Sequence, residues 1–363
     1  MIDIKYTEII ATNFKRHLSG VTSTIIQLIP IQRAQGQKIL AFGVGLPNAL
    51  PRMGFLDLLK CWKPPHGKAF RIWHTRRNIE MLPAIFLRDF CRMPLKIIFT
   101  SASQRNHTTY SKYLISKMDA VVATSAKTAA YLDVKSSIVP HGIDIERFFP
   151  IEDKMAAKIK LGLPPAMKIA GCFGRIRHQK GTDLFVNSMI ALLPARPDWI
   201  AIVAGRAKSK HIAFERALKA RVAQAGLENQ ILFVGEHNNI NVWYQALDIF
   251  IAPQRWEGFG LTPLEAMATS VPVIATDVGA FSEIMSSANS VVGNLIPPDN
   301  LSEMQSSIAK FMDDEPLRLM AGKNGRNTVI SKFSIDVEAQ KLSEIYSSLF
   351  QSKAYLPSVG ITG

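Results

Sequence analysis

The chain has 363 residues, 47% of them apolar and 20% charged, a composition typical of a globular protein with room for two domains. Its cysteines, Cys61, Cys91 and Cys172, have no CxxC spacing, so neither a disulfide framework nor a zinc site is expected. No apolar run reaches the roughly 18 residues of a membrane-spanning helix, and the N-terminus lacks the features of a signal peptide. We therefore expect a protein that stays in the reducing cytoplasm.

The net charge of +14 is concentrated in the first half of the chain. Residues 1–165 contain 24 Lys and Arg against 11 Asp and Glu, whereas residues 166–363 contain 19 against 18. A basic surface attracts anionic lipid, phosphorylated saccharide or nucleic acid, and composition alone does not choose among them. A generally basic proteome is the plain alternative, but it would not explain why only one half is basic.

The first half gives the weaker structural signals. It predicts strands at 39–44, 97–100 and 120–123, a helix around 79–90, and a last strand with an exit turn at 137–144.

The second half alternates short apolar segments, which stop at glycine or proline, with helical stretches. Buried strands separated by helices indicate a parallel sheet covered on both faces, whose ligands bind at the carboxyl ends of the strands. The predicted strands are 168–173, 200–204, 231–234, 248–252 and 273–275, and the predicted helices include 214–225 and 263–268.

These patterns predict two domains. We place an N-terminal domain at 1–150, a linker at 151–165 and a C-terminal domain at 166–335. The last stretch, 336–363, contains an apolar helical stripe, and we expect this helix to pack back on the first domain.

The loop at 174–181, GRIRHQKG, is the first candidate for chemistry in the second half. It follows a predicted strand and places Arg175 and Lys180 between two glycines, where cations and backbone N–H groups could meet a phosphate. A basic surface loop is the alternative interpretation of this segment on its own.

The segment 257–268, EGFGLTPLEAMA, predicts a glycine turn that leads into a helix. Thr262 fits the N-cap and Pro263 the first helical position, a suitable seat for a nucleotide diphosphate. Glu265 either completes a capping box with Thr262 or accepts hydrogen bonds from a ribose. A third segment, 271–280, VPVIATDVGA, predicts a strand and a turn that closes the same crevice.

Together these three segments resemble the retaining glycosyltransferases of the GT-B fold, family 4. The resemblance implies two Rossmann-like parallel-sheet domains that face a central cleft. It also implies that Arg175 and Lys180 bind the donor diphosphate, that Glu265 holds the ribose and that Glu257 lies beside the transferred sugar. The remaining donor-binding positions that it implies lie in the turn before the helix: Gly258, Phe259, Gly260 and Leu261.

The first half resembles the lipopolysaccharide core mannosyltransferases of the same family. The similar segments are NFKRHLSGVTST (13–24), with Gly20 in a loop near the donor phosphate, IWHTRRNIEM (72–81) and FTSASQR (99–105). This resemblance implies GDP-mannose as donor and an inner-core Kdo sugar on a lipid A precursor as acceptor. The candidate acceptor-binding residues are Arg76, Arg77, Gln104 and Arg105.

The first half also departs from the family pattern at one catalytic position. Many members carry a histidine after the strand that corresponds to 97–100, whereas this chain reads Thr-Ser-Ala-Ser. His74, Gln104 and Arg105 are candidates for that role, and we include His74 among the catalytic residues with Glu257, Arg175 and Lys180. A packed, hydrogen-bonded histidine next to Trp73 is the alternative for His74.

The expected reaction is hexosyl transfer with retention, through same-face substitution assisted by the departing phosphate. Fixed cations would stabilise the leaving diphosphate. The sequence has no Asp-x-Asp pair at a strand end, so we expect no metal and no cofactor, with the nucleotide sugar as co-substrate. The basic half suits a lipid-linked saccharide acceptor and peripheral contact with the anionic inner face of the inner membrane.

Three alternatives stay open at this stage. The first is another GT-B enzyme that uses a UDP- or ADP-sugar for a different glycolipid or polysaccharide acceptor. The second is an inactive GT-B scaffold, which the joint presence of Arg175, Lys180, Glu257 and Glu265 disfavours. The third is a basic nucleic-acid-binding protein, but no aromatic-interleaved basic patch supports it, and we expect no nucleic-acid partner.

Overall fold

The computed structural model describes residues 3–16 and 20–351, which form two compact α/β units. The first unit contains the chain up to His141 and again from Ile335, and the second unit is Gly142–Ser334. None of the helices in the described ranges combines the length and the apolar character needed to cross a bilayer.

The first unit is built on a six-stranded parallel sheet with strand order β2-β1-β3-β4-β5-β6. Every residue of β1 and β3 is buried, as expected for parallel strands that are covered on both faces. The strands are β1 (Ile9–Asn13), β2 (Ile39–Gly43), β3 (Arg71–Thr75), β4 (Leu95–Ser101), β5 (Ala120–Ala123) and β6 (Ser137–Ile138), and the helices before residue 141 are α1 (Gly20–Ala34), α2 (Asn78–Ile85), α3 (Thr109–Ser116) and α4 (Ala126–Ala129).

The second unit repeats this architecture with strand order β12-β11-β10-β7-β8-β9, again parallel throughout. Its strands are β7 (Lys168–Phe173), β8 (Trp199–Ala204), β9 (Ile231–Gly235), β10 (Ile249–Ala252), β11 (Val273–Thr276) and β12 (Gly293–Ile296). Its helices are α5 (Lys154–Lys160), α6 (Thr182–Leu192), α7 (Ile212–Gln224), α8 (Ile240–Gln245), α9 (Thr262–Ala268), α10 (Phe281–Ser286), α11 (Leu301–Asp313) and α12 (Glu315–Lys332).

These two sheets confirm the predicted α/β class. All five strands predicted in the second half form, within one or two residues of the predicted ends. The edge strand β12 was not predicted, because its residues are only partly buried and its sequence, GNLI, has no continuous apolar run.

The stretch at 151–165 packs within the second unit. Its helix α5 presents Lys158, whose Nζ donates to the Met167 carbonyl at 2.7 Å and lies 3.3 Å from Oδ2 of Asp248. The same carboxylate oxygen accepts from the Ile169 N–H at 2.9 Å, so it joins α5 to the start of β7.

The two ends of the second unit lie side by side. Ile143 forms a parallel β-bridge with Ser334, and its N–H donates to the Phe333 carbonyl at 2.8 Å. The second unit is therefore an insertion in the first, since the chain enters and leaves it at neighbouring points.

The last helix, α13 (Ile335–Gln351), returns the chain to the first unit and packs against α1. Its apolar stripe, including Ala339, Leu342 and Tyr346, is buried in one cluster with Leu28 and Ile29 of α1. Part of the core of the first unit therefore comes from the end of the sequence.

Replacing Leu342 with alanine tests this dependence, because the side chain is only 3% exposed. We expect Leu342→Ala to destabilise the first unit by about 2–5 kcal/mol, the usual effect of a large-to-small change in a core. Thermal unfolding followed by circular dichroism would measure the loss. Glu344→Ala on the exposed side of the same helix is the matched control, and equal stability of the two variants would contradict the assignment.

Candidate active site

The three segments singled out in the second half meet at one edge of the sheet. Strands β7, β10 and β11 are neighbours and run parallel, so the loops that follow them lie at the same edge. The Lys180 Nζ, after β7, forms an ion pair with Oε2 of Glu257, after β10. The Ala280 N–H, after β11, donates to the Phe259 carbonyl at 3.3 Å.

Two glycines allow these loops to approach so closely. Gly181 has φ +67°, and a Cβ there would lie 1.7 Å from the Pro253 carbonyl oxygen. Gly260 has φ +86°, and a Cβ there would lie 2.2 Å from the Phe281 ring and 2.8 Å from Cγ of Glu257. Both positions need glycine for backbone conformation and for space.

Arg255 fastens the loop after β7 to the loop after β10. Its Nη1 and Nη2 donate to the two carboxylate oxygens of Asp183, at 2.7 and 2.9 Å, and Nη1 also donates to the His178 carbonyl at 2.6 Å. Its backbone N–H donates to the Gln179 carbonyl at 3.0 Å. Burial opposes the ionisation of Asp183, but the hydrogen bonds and the charge of Arg255 outweigh it and hold the pKa of the carboxyl below its ordinary value.

These hydrogen bonds of Arg255, which we call the Arg255 clamp, hold the turn that carries Lys180 in place. Sequence reasoning missed Arg255, because an arginine two residues before a glutamate has no distinctive spacing. Its function becomes visible only when the strand order brings the two loops together.

The loop after β7, residues 174–181, carries basic side chains and no carboxylate. Glu257 is partly buried, and its other oxygen, Oε1, accepts from the Gly258 N–H at 3.1 Å. The side chains of Arg175 and Arg177 lie on the same loop as Lys180, with Arg175 exposed to solvent and Arg177 partly buried. Glu257 therefore pairs with one cation of this loop, Lys180, while Arg255 is matched by Asp183 and Asp299. A loop with more cations than paired carboxylates attracts a polyanion.

The helix after the glycine turn begins one residue earlier than predicted. Leu261, with φ −84° and ψ −23°, is the N-cap of α9 and has no side-chain capping bond, so Thr262 is the first helical residue and Pro263 the second. The N-cap prediction for Thr262 was therefore wrong, because the backbone is already helical at that position.

Because Leu261 is the N-cap of α9, Glu265 does not form the capping box with Thr262 that the sequence allowed. Its Oε2 accepts from the Tyr244 hydroxyl at 2.8 Å. Burial, then the neighbouring Glu265 carboxylate, raises the pKa of Tyr244 well above its ordinary value, so the phenol stays a donor. Tyr244, from α8, was not predicted from sequence, and it orients the carboxylate that the resemblance assigns to the ribose.

In the first unit, His74 lies inside the core. It is fully buried on β3, and its Nδ1 and Nε2 lie 2.7 Å from the Tyr346 and Thr100 hydroxyls, respectively. Burial, reinforced by the charge of Arg76, lowers the pKa of the imidazole well below its ordinary value. These surroundings are those of the packed, hydrogen-bonded histidine that we considered as the alternative to a catalytic one.

Arg77 belongs to a buried polar network at the end of β1. Its Nη1 donates to Oδ1 of Asn13 and to Oε1 of Glu80, both at 2.8 Å, and its Nη2 donates to the Thr22 hydroxyl at 3.2 Å. Glu80 is fully buried and also accepts from the Arg76 N–H at 2.7 Å. This network holds the entry to α1 and the start of α2 in place.

The other predicted residues of the first unit range from partly buried to exposed. Burial lowers the pKa of Arg76, and its Nη1 has no hydrogen-bond partner in the described part of the chain. Gln104 donates to the Ser125 hydroxyl at 3.4 Å, and Arg105 is exposed. Gly20 is the exposed first residue of α1, whereas residues 17–19 of the predicted glycine loop lie outside the described residues.

Solved structures with the same architecture are glycosyltransferases. A glycosyltransferase from Rickettsia africae ESF-5 superimposes with a TM-score of 0.79 at 21% identity, over 96% of this chain and 100% of that one. At this identity the likeness concerns the fold alone, and it confirms the predicted GT-B class.

Sequence comparison defines the family. Residues 153–328 match the family described as "Glycosyl transferases group 1". The chain is 61% identical to the lipopolysaccharide core biosynthesis mannosyltransferase LpsB of Rhizobium meliloti (strain 1021), over 97% of this chain and 100% of that protein. It is 47% identical to the lipopolysaccharide core biosynthesis mannosyltransferase LpcC of Rhizobium leguminosarum bv. viciae, over 96% and 98%. The chain therefore belongs to the glycosyl transferases group 1 family and is a glycosyltransferase.

The environment of Glu265 predicts a pH-dependent effect of its replacement. Burial raises the pKa of this carboxyl, while the Tyr244 hydrogen bond and the charge of Arg147 oppose the rise. Because the unfolded chain then ionises at lower pH than the folded one, stability decreases as pH rises from the unfolded to the folded pKa.

We therefore expect Glu265→Gln, which keeps an oxygen for Tyr244 but carries no charge, to raise the melting temperature more at about pH 8 than at about pH 4. Thermal unfolding of the ligand-free protein at both pH values would measure this difference. Glu344→Gln, at an exposed position, is the control. An effect of Glu265→Gln that is the same at both pH values would contradict the prediction.

Proposed function

We propose that the protein transfers mannose from GDP-mannose, with retention of configuration, to an inner-core Kdo sugar of a lipid A precursor. The observation that carries this proposal is the 61% identity, over 97% of the chain, to a lipopolysaccharide core biosynthesis mannosyltransferase. The guanine base and the Kdo acceptor rest on the narrower resemblance of residues 13–24, 72–81 and 99–105.

The cationic edge of the second unit suits the departure of a nucleoside diphosphate. The acceptor hydroxyl oxygen bonds to the anomeric carbon, the bond to the β-phosphate oxygen breaks, and the electron pair goes to that oxygen. The hydroxyl proton leaves with the departing phosphate on the same face. Arg175 and Lys180 stabilise the charge that develops, and the clamp by Arg255 supports them in a fixed position.

Glu257 forms an ion pair with the Lys180 ammonium. In this proposal a bound diphosphate competes with Glu257 for that ammonium, and the carboxylate lies beside the transferred sugar, as the family resemblance implies. Glu265 accepts from the ribose hydroxyls with its free lone pairs, since Tyr244 occupies one oxygen.

In the first unit, Arg76, Gln104 and Arg105 are the proposed acceptor contacts. Arg76 and Arg105 are cations and the Gln104 amide is a neutral donor, a combination that suits a phosphorylated saccharide. Arg77, which is bound to Asn13, Thr22 and Glu80, orients the loop around them. For His74 we propose a supporting role for β3, because both its ring nitrogens already contact hydroxyl groups.

Replacing the two proposed diphosphate ligands tests the donor site. We expect Arg175→Ala and Lys180→Ala each to lower kcat by about 10²–10³, the usual effect of losing one group that stabilises developing charge. Lys168→Ala is the matched control, because this lysine lies at the opposite end of β7 and pairs with Asp198 at 3.0 Å. Rates near those of the wild type in both site variants would contradict the assignment.

The donor and the acceptor are tested with purified protein, a Kdo-containing lipid A precursor and a panel of sugar nucleotides in the presence of EDTA. Mannose transfer from GDP-mannose is the expected result, and no loss with EDTA is expected for metal-independent chemistry. Transfer only from a UDP-sugar would overturn the donor assignment. Transfer of mannose to other saccharides but not to the Kdo precursor would overturn the acceptor.

We further propose that the first unit binds the cytoplasmic face of the inner membrane through an exposed apolar stripe. The chain continues from α2 into a π-helical turn at Phe86–Phe90, and Ile79, Leu82, Phe86 and Phe90 are spaced for one helical face. All four are exposed, and the rings of Phe86 and Phe90 stack with centroids 5.0 Å apart.

Basic and aromatic residues surround this stripe. The Trp62 indole donates to the Cys91 carbonyl at 2.9 Å, which brings the exposed Lys63 close to the end of the stripe, and Arg92 follows directly. Apolar side chains flanked by cations suit the interface of an anionic bilayer.

Replacing both phenylalanines tests the proposed membrane contact. We expect Phe86→Ser with Phe90→Ser to weaken binding to vesicles that contain anionic phosphatidylglycerol at least about tenfold, because each buried ring contributes about 1.5 kcal/mol or more. Flotation assays would measure the change. Leu319→Ser with Met320→Ser, at exposed apolar positions of α12, is the matched control. If both double variants bind the vesicles equally well, the proposal that this apolar stripe contacts the membrane is contradicted.

A further inference from the structure

Arg177 is a partly buried cation for whose side chain the described residues provide no hydrogen-bond or ion-pair partner. It lies between Arg175 and Lys180, in extended conformation (φ −166°, ψ 154°), just before the 3-10 turn His178–Lys180. Its Nε is buried and has no hydrogen-bond partner among the described residues. No carboxylate in that part of the chain lies within ion-pair distance of its guanidinium.

The other partly or fully buried arginines of the same unit are well satisfied. Arg255 forms a bidentate pair with Asp183, and Arg196 pairs with both oxygens of Asp313. Arg318 and Arg326 donate to backbone carbonyls. A buried donor without an acceptor costs free energy. The other buried arginines of this unit avoid that cost, and the unsatisfied Nε of Arg177 therefore indicates a function other than stability.

The electrostatic surroundings of Arg177 indicate what it lacks. Burial, then repulsion by Arg175, lowers the pKa of its guanidinium, and Glu257 acts in the opposite direction without pairing with it. Glu257 is already paired with Lys180, and the loop that carries Arg177 has no carboxylate of its own. An anionic group from outside the chain would remove both the unsatisfied N–H and the repulsion.

We propose that Arg177 is a further donor-binding residue, whose guanidinium donates to the β-phosphate of the nucleoside diphosphate. This inference rests on the proposed function, because its ligand is the same sugar nucleotide. The β-phosphate is the assigned group because Arg177 lies on the same loop as Lys180, whose partner Glu257 is the residue that the family resemblance assigns to the transferred sugar. A guanidinium presents parallel N–H donors that match two phosphate oxygens, which an ammonium does not.

The binding of GDP and GMP to Arg177→Met, measured by titration calorimetry, tests this inference. We expect the affinity for GDP to fall by about tenfold or more, as for the loss of a charge-assisted hydrogen bond, and the affinity for GMP to change little. Arg177→Lys should retain part of the affinity for GDP, because it keeps the charge but loses the paired donors.

Two further measurements separate binding from a structural role. Arg177→Met should keep or raise the melting temperature of the ligand-free protein, because the buried N–H has no partner to lose. Arg206→Gln is the matched control for a general loss of positive charge: its side chain is exposed, 3.7 Å from Glu236, in the loop after the adjacent strand β8. Its affinity for GDP should stay within about twofold of the wild type.

Several outcomes would overturn the inference. One is an Arg177→Met protein that binds GDP as tightly as Arg206→Gln does. Another is a variant with a lowered melting temperature and equal losses for GDP and GMP, which would indicate a structural role. If the wild type binds UDP or ADP instead of GDP, the affinities of the wild type and Arg177→Met are compared for that diphosphate and its monophosphate. Equal affinities of the two proteins for the diphosphate would then overturn the inference. A wild-type protein that binds none of the three contradicts the proposed donor site, and this inference with it.

Discussion

The pairing of Arg255 with Asp183 is the contact on which the geometry of the site depends. In a parallel sheet the loops after neighbouring strands start close together, but the sheet itself does not fix where they point. Arg255 bridges the loop after β10 to Asp183, at the start of α6, and to the carbonyl of His178. Gly181 and Gly260 then allow backbone and side chains to approach without a Cβ between them. The position of Lys180 against Glu257 follows from these constraints.

At the same edge of the sheet, some charged side chains form ion pairs and others do not. Arg255 pairs with both Asp183 and Asp299, and Lys180 pairs with Glu257. Arg175 and Arg177 have no such partner in the described chain. Groups that lower the stability of the protein but favour a bound anion are typical of sites shaped for a ligand rather than for stability. The burial of Glu265, which disfavours its charged form, follows the same pattern.

The sequence predicted the second unit well and the first unit less well. Strands such as 168–173 and 248–252 are continuous apolar runs that end at glycine or proline, and this local signal is strong. Strand β3 reads Arg-Ile-Trp-His-Thr, where a buried arginine and histidine hide the pattern; Arg71 is satisfied there by carbonyl oxygens that only the fold brings near. The motif residues Lys180 and Glu257 were identified from a family pattern, and their ion pair was not. The contacts of Tyr244 and Arg255 form only when the fold brings their helix or loop to its partner. His74 contacts Tyr346, which lies 272 residues further along the chain. No local sequence pattern could reveal these contacts.

The closing of the first unit by α13 has a consequence for how the protein is made. A ribosome completes residues 142–334 while the first unit still lacks a helix that buries Leu28 and Ile29. The inserted unit, whose ends are already joined by the bridge between Ile143 and Ser334, can mature first. The first unit keeps part of its apolar surface uncovered until α13 has been synthesised. A nascent chain that stalls before residue 335 would therefore carry a folded inserted unit next to a first unit whose apolar surface stays exposed and prone to aggregation.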